Sequence, residues 1–134
     1  MFFRFKKVNT PGQKMKIAVA TDDFETIPNK MLGRARFYAI YTWDENGVVR
    51  FVEKRPNPYE KTLQRGKTFD VLQVLSDCRV FISRHIGKRG IERIRNAGVD
   101  VFLTSEKSIE KAIQAYGLKI GGKVVKIQNA IPNS

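Results

Sequence analysis

Between Val80 and Leu103 the chain passes from a short apolar run to a helical pattern and back again. Val80-Phe81-Ile82 carries no charge and is too short for a helix, so it reads as a strand buried on both faces. The stretch around Ile91 to Ala97 reads as a helix, and Gly98 stands where a helix takes a left-handed closing residue. Val99 to Leu103 is then a further strand. A strand–helix–strand unit of this kind makes its two strands parallel, with a right-handed crossover. It confines the chain to an α/β architecture with helices packed on the sheet.

The flanking segments extend that sheet. Lys16-Ile17-Ala18-Val19-Ala20, opened by Met15 and closed by Thr21-Asp22-Asp23, reads as another buried strand of the parallel set. Residues 24–36 form a loop, punctuated by Pro28, Asn29 and Gly33. Phe37 to Trp43 and Val48 to Glu53 are strand-like, and Asn46-Gly47 between them is a strong hairpin signal, so this pair is antiparallel and extends one edge. Pro56-Asn57-Pro58 breaks the pattern, and residues 59–67 are polar. A helix from Thr68 buries Val71, Leu72, Val74 and Leu75. Ser105 is the expected cap of a last helix, with Ile109, Ala112, Ile113 and Tyr116 facing inward and Gly117 ending it. Val124-Val125 is a short apolar stretch in the tail. The expected fold is α/β, a mixed sheet of about five strands with helices on its faces. The expected organisation is a basic N-terminal extension over 1–14, a single domain over 15–128 and a frayed tail over 129–134. The extension admits three readings: an added edge strand, a flexible basic arm, or a misplaced start.

Composition narrows the function. Apolar residues make up 42% of 134 residues, enough for a packed core. No apolar run approaches the roughly 18 residues of a membrane span, and the charged N-terminus lacks the apolar stretch of a secretory signal. A cytoplasmic protein with no membrane association is expected. The chain has one cysteine, Cys78, and one histidine, His85. Neither an internal disulfide nor a closed zinc site of about four Cys or His ligands can be built from these. A preformed metal cofactor, however, needs only one or two protein ligands. Cys78, placed before a buried strand, is expected to be an inert core residue. The net charge of +12, from 25 Lys and Arg against 13 Asp and Glu, draws anionic partners: a cofactor, an acidic protein or a nucleic acid.

In open α/β sheets, ligands bind beyond the carboxyl ends of the parallel strands. Two loops belong there. One runs from Thr21 and Asp22 to Arg34 and Arg36. The other runs Ser83-Arg84-His85-Ile86-Gly87-Lys88-Arg89-Gly90 and opens a helix, whose free N–H groups favour anions. Thr21, Asp22, Arg34, Arg36, Arg84, Gly87, Lys88 and Arg89 are the candidate anion-binding residues. A structural alternative pairs Arg34 with Asp22 or Asp23.

Several segments resemble one family. Met15-Lys16-Ile17-Ala18-Val19-Ala20-Thr21-Asp22 is followed by Leu32-Gly33-Arg34-Ala35-Arg36-Phe37-Tyr38, then Asn57-Pro58, Ile86-Gly87, Gly98-Val99-Asp100-Val101-Phe102 and Glu110-Lys111-Ala112. In this order and spacing, over roughly residues 15–118, they resemble the dinitrogenase iron–molybdenum cofactor biosynthesis family (NifX-like and NifB C-terminal-domain-like proteins). The resemblance implies a ribonuclease-H-like three-layer fold. It implies a non-catalytic carrier or accessory role toward an iron–sulfur or iron–molybdenum-type cluster. Where the family has a histidine before aromatic-Gly-Arg-Ala, this chain has Met31. Met31 and the nearby-loop His85 are therefore the candidate cluster ligands, the thioether being the weaker of the two. No metal held by protein side chains alone is expected.

Two other functions set the alternatives. Two-metal nuclease chemistry needs several converging carboxylates. Asp22 and Asp23 supply at most two, and the second loop supplies none, so this reading is disfavoured. Non-catalytic nucleic-acid binding would use the basic arm, where Arg4, Lys6, Lys7, Lys14 and Lys16 interleave with Phe2, Phe3 and Phe5. The oligomeric state is left open, with an exposed hairpin edge as one route to pairing.

Overall fold

A computed structural model describes residues 15–62 and 67–129. The basic N-terminal extension of residues 1–14, with the three readings it admits, and residues 130–134 lie outside the described residues. The elements run β1 (Met15–Thr21), a single 3-10 turn (Leu32–Arg34), β2 (Phe37–Trp43), β3 (Val48–Pro56), α1 (Lys67–Val74), β4 (Val80–Ser83), α2 (Lys88–Asn96), β5 (Asp100–Leu103), α3 (Ile109–Lys119) and β6 (Lys126–Gln128). The strands form one six-stranded mixed sheet in the order β5-β4-β1-β2-β3-β6.

β1, β4 and β5 are mutually parallel, as the crossover unit requires. β2 and β3 are antiparallel to their neighbours β1 and β2. A register shift between Ile40 and Tyr41 leaves Val52 as an extra residue in β3, a local bulge. The expected five strands become six, because Lys126–Gln128 pairs in parallel with Val48, Val49 and Arg50. The hairpin is therefore not the free edge that its sequence suggests over this stretch. β6 carries one apolar residue in three, which leaves no alternating pattern to read.

Alternation along β1 divides the core. Ile17 and Val19 face α3 together with Tyr41, Trp43, Val80, Ile82, Ile113 and Tyr116. Ala18 and Ala20 face α1 and α2 together with Tyr38, Ile40, Val71, Leu75, Phe81 and Ile94. The small residues on the second face let the two helices approach the central strand closely. Gly90 is part of that closeness: a Cβ there would fall 2.9 Å from Thr68 Oγ1 of α1.

Two expected helix boundaries move. Ser108, not Ser105, caps α3 by accepting the Lys111 N–H. Residues before it are held away from helical geometry, since Ile27 N–H donates to Lys107 O and Ile109 N–H to Glu25 O. Gly117 does not end α3, which continues to Lys119. The glycine is there for contact, because a Cβ would meet Val124 Cγ2 at 2.7 Å.

A charged cluster ties β3 to the end of α1. Arg55 donates to Glu53, to both carboxylate oxygens of Asp77 and to the Val74 carbonyl. Hydrogen bonds from Arg55 hold the Asp77 and Glu53 carboxyls below the usual carboxylate range. A carboxyl depressed in the folded state adds stability that is present above its unfolded value, about pH 4, and is lost as pH falls. Denaturation midpoints are thus expected to fall with acidification below about pH 5, and to fall less steeply in Arg55→Met. Equal slopes in the two proteins would show that this cluster does not set acid stability.

Candidate functional site

The carboxyl ends of β1, β4 and β5 share one rim, and the loops that follow them are stitched together there. Met31 and His85 form a parallel bridge between the first and second loops, in which Leu32 N–H donates to His85 O at 2.8 Å. Ser83 Oγ–H also donates to that carbonyl, at 3.2 Å. The third loop joins through a bridge between Thr26 and Ser108. The two loops singled out in the sequence therefore do meet, and the meeting point is at residues 31 and 85.

The first loop is shaped from within. Thr21 is fully buried, and its hydroxyl donates to Thr26 O at 2.6 Å while accepting the Phe24 N–H at 2.9 Å. Asp23 accepts the Glu25 and Thr26 N–H groups and the Thr26 hydroxyl. Burial alone would raise the Asp23 carboxyl, but these donors more than offset it and hold the group below its ordinary value. The turn they enclose puts Phe24 at φ +64, the left-handed region. Asp22 ties the far end of the loop, accepting Arg36 N–H at 2.9 Å and facing Lys30 Nζ at 2.7 Å. The alternative pairing of Arg34 with Asp22 or Asp23 is not formed: Asp22 pairs with Lys30, and Arg34 is exposed.

Asn57 is the residue whose importance sequence reasoning missed. It is buried, and its side-chain amide donates to Gly33 O at 3.0 Å and Ala35 O at 2.8 Å. Its backbone N–H reaches Arg36 O, and its Oδ1 accepts Tyr59 N–H. Tyr38 adds a hydroxyl donor to Leu32 O at 3.0 Å. Asn57-Pro58 was legible only as a breaker and as a piece of the family pattern; a side chain that reaches back 22 residues leaves no local signature.

The second loop and the first turn of α2 carry Arg84, Lys88 and Arg89. Gly87 is the N-cap, and no acidic residue lies in the first turn. Among the described residues, none of Arg34, Arg36, Arg84, Lys88 and Arg89 has an ion-pair partner. Arg36 lies 5.5 Å from the Phe37 ring centroid. Arg84 Nε is buried and has no hydrogen-bond partner. Two cations at the positive end of a helix cost stability on their own and oppose its dipole. The first turn of α2 thus carries positive charge that no acidic side chain among the described residues pairs with.

The donor set limits what metal chemistry the rim can support. Met31 is exposed, its methyl 3.6 Å from where a Gly87 Cβ would stand, and its backbone pairs with that of His85, which is also exposed. Cys78 lies before β4, at the opposite end of the sheet, and burial pushes its thiol up to about 12. Among the described residues no group of three or more His, Cys, Asp or Glu side chains converges. These residues fit a preformed anionic cluster touched at one or two points. They do not fit a bare ion caged by protein ligands.

Fold and rim together define an α/β protein that presents two stitched loops, the second of them basic, at one edge of its sheet. Residues 13–119 match the model of the dinitrogenase iron–molybdenum cofactor family, and the chain belongs to that family. Comparison with curated proteins gives no match. Among solved structures, the apo orange protein from Desulfovibrio gigas is similar at 21% identity and a TM-score of 0.62, covering 81% of this chain and 91% of that one. A protein from Methanocaldococcus jannaschii provisionally assigned as a dinitrogenase is similar at 14% identity and a TM-score of 0.58, covering 81% and 92%. A protein from Thermotoga provisionally named NifB is similar at 20% identity and a TM-score of 0.55, covering 79% and 90%. At such identities the likeness speaks for the fold. Among the described residues, no helix is long and apolar enough to cross a membrane.

Proposed function

We propose that this protein is a non-catalytic carrier or accessory protein that holds an anionic iron–sulfur or iron–molybdenum-type cluster as cargo at the rim. The carrying observation is the unopposed positive charge gathered at the N-terminus of α2, where the two loops join. Arg34, Arg36, Arg84, Lys88 and Arg89 supply long-range attraction and multi-acceptor contacts to the anion, and Gly87 allows close backbone approach. His85 supplies one nitrogen ligand and Met31 an adjacent thioether. Thr21 and Asp22 enter as supports that shape the first loop. A cluster that brings its own metals and is held at one or two points can be released whole, which suits handover.

Membership of the cofactor family supports this reading. So does the fate of the carboxylates. Asp22 and Asp23 are spent on Lys30 and on loop N–H groups, so they do not offer the open, converging pair a nuclease needs. We also read the order β3-β2-β1-β4-β5 as a ribonuclease-H-like arrangement carried by a single domain over 15–128, in a cytoplasmic protein. An acidic protein that receives the cargo is the natural partner for the same surface.

The test is anaerobic incubation with iron, sulfide and molybdate, followed by desalting and visible spectroscopy. Wild type is expected to retain a chromophore, and His85→Ala and Arg34→Ala to bind it about tenfold or more weakly. No retained absorbance, or equal retention by the variants, rejects the assignment.

A further inference from the structure

His85 is fixed at two places. Its carbonyl accepts the Leu32 N–H and the Ser83 hydroxyl. Its ring Nε2 lies 2.6 Å from Asn29 Oδ1, across the junction of the two loops. An amide oxygen only accepts, so in the neutral ring Nε2 carries the proton and Nδ1 is left bare. Among the described residues no hydrogen-bond partner reaches Nδ1. The second nitrogen of a metal-binding imidazole is ordinarily held in this way by an oxygen acceptor, which sets the tautomer and the ring orientation.

We propose that Asn29 is a positioning residue that locks His85 in the Nε2–H tautomer and reserves Nδ1 as the nitrogen that ligates an iron of the cargo cluster. The ligand half of this inference rests on the carrier reading above; the tautomer half does not. The Asn29–His85 contact is exposed, so it contributes little to folding, and its loss alters the ring rather than the fold. Met31 meets the same junction through its backbone bridge to His85.

The chain has one histidine, so a long-range proton–nitrogen NMR spectrum shows a single imidazole pattern. At a pH where the ring is neutral, wild type is expected to show a protonated Nε2 and a bare Nδ1. Asn29→Ala should give a mixture of tautomers, and Asn29→Asp, which restores an oxygen acceptor, should restore the single form. A protonated Nδ1 in wild type, or no change in Asn29→Ala, overturns the inference. In the second arm, protein labelled with nitrogen-15 histidine is loaded anaerobically with iron and sulfide, reduced, and examined by pulsed electron paramagnetic resonance. A strongly coupled histidine nitrogen is expected. Binding should be about tenfold weaker in Asn29→Ala and recovered in Asn29→Asp. A cluster that binds wild type without nitrogen coupling overturns this inference alone. A wild type that takes up no cluster, with the tautomer still locked, removes the carrier reading and the ligand role together.

Discussion

Asn57→Ala is expected to lower the unfolding free energy by about 3 kcal/mol and to free the first rim loop. The change deletes two donors to Gly33 O and Ala35 O and the acceptor for Tyr59 N–H, in a place from which solvent is largely excluded. The two carbonyls then lose their partner while the turn around them stays packed, and an unmet buried polar group costs more than a hydrogen bond gains. Asn57→Asp should be no better, since a carboxylate cannot donate to either carbonyl. Urea denaturation followed by circular dichroism measures the cost. Hydrogen exchange at Leu32 and Arg36, whose N–H groups bond to His85 O and Asp22, reports the loosening. A cost below about 1 kcal/mol, with exchange unchanged, would mean that Tyr38 and Asp22 hold the loop unaided.

Trp43→Ala is expected to cost still more, about 4 kcal/mol, as a large buried aromatic is replaced by a cavity. Trp43 is 2% exposed, and its ring meets Tyr116 edge-on at 6.2 Å. The Nε1–H donates to Lys123 O at 3.0 Å. Gly122 leaves the space the ring fills, because a Cβ there would stand 2.7 Å from Trp43 Cη2. Trp43→Phe keeps much of the apolar contact and loses the donor, so about 2 kcal/mol is expected. It is the chain's one tryptophan, so circular dichroism rather than fluorescence is the appropriate signal. A cost for Trp43→Ala no larger than for Trp43→Phe would mean that the site collapses to fill the void.

What could be read from the sequence was the local part. Phe37 to Trp43 is recovered residue for residue, because its flanks, a loop and an Asn-Gly turn, are both chemically marked. The parallel placement of β1, β4 and β5 follows from connection length and handedness, and from it the shared rim. What escaped was decided by contacts between distant segments. Gly117 has the chemistry of a helix end, but Val124 presses on it, so α3 runs on. Ser105 and Ser108 are equally good caps by composition. The pairing of 25–27 with 107–109 chooses between them. Asp22 pairs with Lys30 and not with Arg34, a choice that spacing along the chain does not show. Arg55 joins residues 19 and 22 positions away and gave no sign of it in any window.

The turn at Gly47 is held from outside. Val125 N–H donates to Gly47 O at 2.8 Å, and Lys123 O occupies the place a side chain at Gly47 would need. With Trp43 bonded to that same Lys123 carbonyl, the pole of the sheet opposite the rim is clasped shut. Hairpin tips usually tolerate added residues. This one does not, since any extra length there must first prise the clasp apart. On the proposed function, the movement that admits or releases a guest is expected in the rim loops at 22–36 and 84–87, and not at this hairpin.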